Sequence, residues 1–172
     1  ETDPVENAEV EWQYFQLILA TARKEILGIV ESLSDQSAID ILQTQLLYIE
    51  DPSLLEQVHQ LIVTEKHCAA VAWKKAIEAV INTYQKLEDP YLQGRAIDIK
   101  DVGGRVLKVL AGDSSSSVNL SEPGILVAPD LTPSLALQLK PNLVLGICTS
   151  AGSVTAHSTL IVNTLGLSLI HI

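Results

Sequence analysis

One of the four histidines, His157, follows a run of small residues, Ala151-Gly-Ser-Val-Thr-Ala, and precedes an apolar stretch that predicts a helix. The first N–H groups of a helix have no partner within it and the helix dipole is positive there, so this end stabilises an anion. A neutral imidazole is a competent nucleophile, and much of an unperturbed histidine is neutral near pH 7. The sequence therefore indicates a site where a histidine could carry a phosphoryl group covalently.

The composition limits the classes of protein to which the chain could belong. Its 172 residues are 47% hydrophobic, which is enough for a packed core in one ordinary domain or two small ones. A formal charge of −10 argues against nucleic acid and anionic membranes as partners and allows a basic protein partner. Cys68 and Cys148 make neither a disulfide framework nor a metal cluster, which predicts a reducing cytoplasm. The chain begins at Glu1 and contains no methionine, so we expect a fragment or a processed form of a longer protein.

Charge divides the chain into two parts. Nineteen of the 21 acidic residues lie at or before Asp113, and only Glu122, Asp130 and Lys140 are charged after it. Residues 114–123 include five serines and Pro123 and lie between Gly112 and Gly124, which is typical of a linker. The sequence therefore predicts a first subdomain over 1–113 and a second over 124–172.

The first part has the periodicity of helices that pack through one apolar face. Asp51-Pro52 and Asp89-Pro90 each have the form of an N-cap followed by the first helical residue. Shorter helices are predicted over 38–49 and 52–63. The spacing predicts an antiparallel bundle, with three apolar stripes made by Phe15, Ile18, Leu19, Ala22, Ile26, Ile29 and Leu33; by Ala69, Ala72, Trp73, Ala76, Ile77, Val80, Tyr84 and Leu87; and by Leu92, Ala96, Ile99, Val106, Leu107 and Leu110.

The second part changes its period. Short apolar runs at 124–128, 143–148 and 167–172 predict buried strands, and a helix is predicted over 157–165. Thr132 followed by Pro133 predicts another helix start. This alternation indicates an α/β layer, and because three strands make a thin sheet we expect further sequence to complete it.

Three segments resemble the N-terminal phosphohistidine region of Enzyme I of the bacterial phosphotransferase system. Residues 125–134, Ile-Leu-Val-Ala-Pro-Asp-Leu-Thr-Pro-Ser, are similar to the family's strand and Asp-Leu-Thr-Pro-Ser turn. Residues 145–157 are similar to the strand that leads into its Gly-Gly-x-Thr-Ser-His motif, and residues 91–107 to the last helix of its helical subdomain. The resemblance implies an α+β or α/β chain: a helical bundle, then a truncated swivelling phosphohistidine subdomain.

The chain departs from the family pattern at several positions. Ser153 replaces the second glycine, Ala156 replaces the serine before the histidine, and Val162-Asn163 replaces Ala-Arg after it. The Lys66-His67-Cys68 run and the Ala72-Trp73 pair are more similar to the Enzyme I-like module of the phosphotransfer subunit of PEP-dependent dihydroxyacetone kinase.

The resemblance implies a role for each residue that matches the motif. His157 would carry the phosphoryl group on one ring nitrogen, and Thr132 would hydrogen-bond the other. Gly152 would let the backbone approach closely. Thr155 and the N–H groups of Ser158 and Thr159 would hold the phosphoryl oxygens.

The resemblance also implies partners. The phosphoryl group would come from phosphoenolpyruvate (PEP) on a separate PEP-binding domain or a full-length Enzyme I, and would pass to the phosphocarrier protein HPr. HPr would dock on the segment 34–51. No cofactor is expected within this chain, Mg²⁺ is expected on the PEP-binding domain, and the piece is expected to be a cytoplasmic monomer. The candidate contact residues are Asp40, Leu46, Leu47 and Tyr48.

Other interpretations of the same residues stay open. A histidine alone is more often structural, Thr132 has the form of an ordinary N-cap, and Gly152 that of a turn glycine. The segment 34–51 has the pattern of a plain amphipathic helix. The altered motif also allows a non-catalytic HPr-binding module, and the phosphohistidine motif occurs in dikinases too.

Overall fold

A computed structural model describes residues 5–113, 120–151 and 157–171. The chain forms two compact units. We call residues 5–32 and 42–113 the helical unit, and residues 33–41, 120–151 and 157–171 the α/β unit. In chain order the elements are α1 Ala8–Ser32, α2 Gln36–Ile49, α3 Pro52–Val63, α4 Ala69–Gln85, α5 Pro90–Leu110, β1 Gly124–Ala128, α6 Pro133–Ala136, β2 Val144–Thr149, α7 His157–Thr164 and β3 Leu169–His171.

The helical unit is a bundle in which α1, α3, α4 and α5 pack together. An aromatic cluster fills its centre: the Phe15 ring lies 5.7 Å from that of Trp12 and 5.6 Å from that of Trp73. Trp73 has no exposed surface, and its indole N–H donates to the carbonyl of Gly103 on α5 at 2.9 Å. The three apolar stripes supply most of the buried hydrophobic residues of this unit, which confirms the predicted helical bundle.

Local capping fixes where the helices of this unit begin. Asp51 accepts hydrogen bonds from the N–H groups of Ser53 and Leu54, and Asp89 accepts from that of Tyr91, as the Asp-Pro pairs predict. Helix α4 starts differently, because its N-cap residue Cys68 makes no side-chain cap. The Glu11 carboxylate on α1 accepts from the N–H of Ala69 at 2.7 Å instead, and this bond joins the two helices.

The α/β unit contains a parallel sheet in the order β1–β2–β3. The register pairs Leu126 with Ile147, and Ile147 with Leu169. One face of the sheet belongs to an aliphatic core that also includes α6, α7 and the first part of α2, with Leu131, Ile147, Ile161 and Val162 at most 1% exposed. The opposite face carries large apolar side chains that are more than half exposed, namely Ile125, Val127, Leu145 and Ile170.

The segment 33–41 differs from the sequence-based division at residue 113. Ala38 and Ile41 are buried in the core of the α/β unit, and Leu33 packs against that core. Leu33 is therefore not part of the apolar stripe of α1, which ends at Ser32. The boundary between the units falls within α2, after Ile41. The periodicity of a helix shows which face is apolar but not which core that face enters.

Candidate active site

The candidate site lies where β1 and β2 end. Because the two strands are parallel and adjacent, their carboxyl ends lie at the same edge of the sheet. After β1 the chain continues through Pro129 towards Thr132, and after β2 it continues through Ser150. The two exits are joined, since Pro129 O accepts from Ala151 N at 2.8 Å and from Ser150 Oγ at 3.2 Å. Ligands of open α/β sheets bind at this kind of edge.

Thr132 is the N-cap of α6, as its position before Pro133 predicts. Its Oγ1 accepts from Leu135 N at 3.3 Å, and its carbonyl accepts from Ala136 N at 2.9 Å. The preceding residue, Leu131, is 1% exposed and anchors this turn in the core. A hydroxyl oxygen has two lone pairs and one proton, so the bond to Leu135 leaves one lone pair and the proton for a second partner.

His157 is the first residue of α7 and is half-buried. Helices α6 and α7 pack against each other, so Thr132 and His157 come from the N-terminal ends of two contacting helices. The bond between Thr132 and the imidazole stays a prediction. Ile161 and Val162 fix α7 because both are buried in the aliphatic core one turn after the histidine.

The first turn of α7 contains the residues whose N–H groups are predicted to hold the phosphoryl oxygens. Ser158 and Thr159 follow His157 directly, and each is 6% exposed. The N–H groups of a first helical turn have no partner within the helix and point towards its N-terminus. An anion at this end would meet those N–H groups and the positive end of the dipole. Gly152 and Thr155, together with Ser153 and Ala156, lie outside the described residues.

Buried polar side chains of the α/β unit are concentrated at this edge. Its described core is aliphatic, and the buried polar residues recorded there are Thr149, Ser158 and Thr159. Thr149 is the last residue of β2 and is 1% exposed. Sequence reasoning missed Thr149, although a polar residue at the end of an apolar strand was a usable signal.

Two of the other histidines have structural surroundings. The His59 ring makes an edge contact with Trp12, with centroids 4.8 Å apart. The Nε2 atom of His67 lies 2.6 Å from Lys75 Nζ and 3.2 Å from Glu65 Oε2. Neither His59 nor His67 is the first residue of a helix, so neither has the helix N-terminal position of His157.

The predicted partner-binding residues lie along α2. Asp40, in the α/β unit, is exposed and accepts from Gln36 Nε2 at 2.7 Å. Leu46, Leu47 and Tyr48 lie in the helical unit, where Leu47 is 68% exposed and the other two are half-buried. Burial, followed by the proximity of the Tyr84 hydroxyl, raises the pKa of Tyr48 to about 12.

Sequence reasoning also missed a buried polar pair next to these residues. Gln45 on α2 has no exposed surface, and its Nε2 donates to Asp101 Oδ2 on α5 at 2.9 Å. Asp101 is 9% exposed, and one turn later the half-buried Arg105 has a lowered pKa because of its burial. Asp101 directly precedes Val102, and Arg105 directly precedes Val106. A charged residue beside each of these two apolar positions was a signal for buried charge.

The described ranges contain neither a membrane-spanning helix nor a group of metal ligands. Among them, no helix is both long and apolar enough to cross a bilayer. Over the same ranges, no three His, Cys, Asp or Glu side chains are grouped so that they could hold a metal ion.

Two family models match the chain. The model of the N-terminal domain of PEP-utilising enzymes matches residues 1–95, and that of the mobile domain of PEP-utilising enzymes matches residues 120–171. The first match covers more than half of the chain.

Similar proteins carry related names. The chain is 37% identical, over 94% of its length, to the phosphoryl donor subunit DhaM of PEP-dependent dihydroxyacetone kinase from Escherichia coli, and spans 33% of that protein. It is 36% identical, over 74% of its length, to the phosphoenolpyruvate-protein phosphotransferase of Borreliella burgdorferi, and spans 22% of it. The chain thus covers a third or less of these relatives.

Solved structures agree with this result. An NMR structure of an Enzyme I protein superposes with a TM-score of 0.76 and 31% identity, over 99% of this chain and 71% of the other. The N-terminal domain of "Enzyme 1 - Nitrogen" superposes with a TM-score of 0.69, and at 20% identity it shows the fold alone. The chain belongs to the family of PEP-utilising enzymes, with the fold of the Enzyme I N-terminal domain.

Proposed function

We propose that this chain is the phosphoryl relay of a PEP–protein phosphotransferase, with His157 as the residue that carries the phosphoryl group. The main support is the position of His157, which is the first residue of α7 and lies at the carboxyl edge of the sheet. The N–H groups of Ser158 and Thr159 belong to the same helical turn. The relatives are named as phosphotransferases or as a phosphoryl donor subunit, which supports the general class. The predicted cytoplasmic location belongs to this proposal.

The relay has two steps, and each exchanges one bond to phosphorus. In the first, the lone pair of a His157 ring nitrogen attacks the phosphorus of PEP, and the bond to the enol oxygen breaks. The enolate takes a proton from solvent and leaves as pyruvate. In the second step, a ring nitrogen of a histidine on HPr attacks the same phosphorus, and the bond to His157 breaks. PEP would be held by a separate domain, where Mg²⁺ is expected.

Thr132 would fix the imidazole for both steps. The attacking nitrogen of a neutral imidazole needs its lone pair, so the other nitrogen carries the proton. The second lone pair of Thr132 Oγ1 can accept that N–H, because the first already accepts from Leu135 N. The same oxygen would then cap α6 and hold the ring of His157.

Backbone dipoles are the main source of charge stabilisation in this proposal. Asn163 on α7 is exposed and stands where the family pattern has arginine, and only Glu122, Asp130 and Lys140 are charged after Asp113. The phosphoryl oxygens would therefore depend on the N–H groups of the first turn of α7 and on its dipole. We include Gly152 and Thr155 in this site as predicted from the motif.

HPr would dock on α2. Leu47 offers a largely exposed apolar side chain, and Tyr48 a half-buried aromatic ring beside it. The acidic balance of the chain suits a basic partner surface. Leu46 and Asp40 complete the proposed contact set.

Labelling of the isolated chain tests the proposal. The 172-residue protein is incubated with radiolabelled PEP, a full-length Enzyme I and HPr, so that phospho-HPr forms in the mixture. We expect acid-labile phosphate on the chain at His157, no label in His157→Ala, and full label in the matched variant His67→Gln. Absence of label from the unmutated chain, or label retained in His157→Ala, would overturn the proposal.

A second candidate is a non-catalytic module that only binds HPr. The exposed Asn163 and the altered motif residues Ser153 and Ala156 favour it. Binding of HPr that is equal in the unmutated chain and in His157→Ala, with no phosphate transferred by either, would support this candidate.

A further inference from the structure

Helix α2 carries the proposed docking residues and is tied to the helical unit by polar contacts from three other helices. Gln45 donates to Asp101 on α5, and Tyr48 lies close to the Tyr84 hydroxyl on α4. Just after the helix, Glu50 accepts from Arg23 Nε on α1 at 2.6 Å. Leu42 and Ile49, which are at most 2% exposed, supply the apolar contact.

The three polar contacts differ in burial, and burial decides their strength. The Arg23 and Glu50 side chains are 52% and 48% exposed, so water screens that pair and it contributes little. Tyr48 is half-buried. Gln45 alone has no exposed surface, and its partner Asp101 is 9% exposed. A hydrogen bond to a buried carboxylate is stronger than a neutral one, and it is directional.

The buried amide is only partly satisfied. Among the described residues, Gln45 Oε1 has no hydrogen-bond partner, while Nε2 holds Asp101. A leucine would fill a similar volume without an unpaired oxygen, so packing alone does not explain a glutamine here. In helical assemblies, the best-documented role of a buried polar group is to fix the register of one helix against another.

We propose that Gln45, through Asp101, is a positioning residue that sets the rotation of the C-terminal half of α2 and so directs Leu47 and Tyr48 to the partner. Leu47 and Tyr48 follow Gln45 by two and three positions on the same helix, so a rotation of α2 moves both together. This inference rests on the proposed docking of HPr on α2. It concerns the orientation of Leu47 and Tyr48 and does not change the proposed chemistry at His157.

The test compares Gln45→Leu with Ile26→Val. Ile26 is a fully buried residue of α1, and its truncation costs stability similar to that lost with one hydrogen bond. Phosphoryl transfer from purified phospho-HPr to the chain is followed at a temperature where all variants are folded. We expect Gln45→Leu to raise KM for phospho-HPr about tenfold with kcat unchanged, which corresponds to the loss of one buried hydrogen bond. Ile26→Val should leave both constants unchanged.

Amide hydrogen exchange over 42–49 provides a readout that is independent of transfer. We expect exchange there to rise about tenfold in Gln45→Leu and to stay unchanged in Ile26→Val. If the unmutated chain transfers no phosphate, the proposed function fails, but the exchange result still decides whether Gln45 fixes α2. Unchanged exchange over 42–49, or equal effects of the two variants on KM, overturns the inference.

Discussion

The two units bury polar groups in different places. In the helical unit two buried polar contacts join helices to one another, namely Gln45 with Asp101 and Trp73 with Gly103. In the α/β unit the described core is aliphatic, and its recorded buried polar residues lie at the carboxyl edge of the sheet, next to His157. The helical unit thus uses polar burial to set helix positions, and the α/β unit reserves it for the candidate site.

The largest expected effect is in the aliphatic core. Ile147 lies in the central strand, is 1% exposed, and pairs with Leu126 and Leu169. Ile147→Ala should lower the free energy of unfolding of the α/β unit by ~2–5 kcal/mol, because truncation loses burial and leaves a cavity. Amide exchange of β1 and β2 measures this. A loss below ~1 kcal/mol would show that the core does not depend on this residue.

A pair of glycines in α5 tests the close packing of the helical unit. A Cβ on Gly103 would lie 2.7 Å from Ile77 Cγ2, whereas one on Gly104 would meet nothing within 4 Å. We expect Gly103→Ala to destabilise the unit by ~1–3 kcal/mol through overpacking. Gly104→Ala should stabilise it by ~0.5–1 kcal/mol through helix propensity.

Urea unfolding followed by tryptophan fluorescence measures both glycine variants, since Trp12 and Trp73 lie in this unit. Shifts of the same sign in Gly103→Ala and Gly104→Ala would contradict the account of close α4–α5 packing.

Thr132 tests the link between a local cap and the candidate site. Thr132→Ala should lose about 1 kcal/mol of stability through the lost N-cap bond. It should also slow phosphorylation of His157 about fivefold to tenfold if the same oxygen orients the imidazole. Thr132→Ser keeps the hydroxyl oxygen and should retain both the stability and the rate of phosphorylation. A normal rate of phosphorylation in Thr132→Ala would show that Thr132 caps α6 but does not orient the imidazole.

The smallest effect is a pH dependence in the helical unit. The pKa of Tyr48 is raised from 10.0 to about 12, mainly by burial, so the folded state favours the neutral phenol. The stability from this group is fully present below pH 10 and is lost as the pH rises from 10 to 12. Because the ring is half-exposed, we expect the loss to be about 1 kcal/mol or less.

Tyr48→Phe is the control for this pH dependence. Urea midpoints measured between pH 10 and 12 should fall less in Tyr48→Phe than in the unmutated chain. Parallel curves for the two proteins would show that Tyr48 does not titrate with folding.

Most elements were predictable because their signals are local. The strand 124–128 and the helix 52–63 were predicted with the bounds that the structure has, from turn residues and an Asp-Pro cap. The third strand was predicted over 167–172, but it begins at Leu169 and not at Leu167. Gly166, with a φ of +69°, follows the end of α7. The N–H of Leu167 donates to Val162 O at 3.1 Å, so Leu167 belongs to the end of the helix and not to the strand.

The contacts that join distant segments were not predictable from one sequence. Gln45 and Asp101 lie 56 positions apart, and no periodicity pairs a particular glutamine with a particular aspartate. The packing of 33–41 into the α/β unit is also long-range. At the candidate site, by contrast, the cap at Thr132 and the helix start at His157 are local features, and so both helix starts could be predicted from the sequence.

Phosphorylation of the 172-residue chain tests the central claim most directly. Phospho-HPr, purified free of Enzyme I and PEP, is mixed with the unmutated chain and with His157→Ala, and ³¹P NMR follows the phosphoryl group. The account predicts a new phosphoramidate resonance on the unmutated chain, a matching loss from phospho-HPr, and neither change with His157→Ala. Phospho-HPr that keeps its full signal beside the folded, unmutated chain would contradict the account.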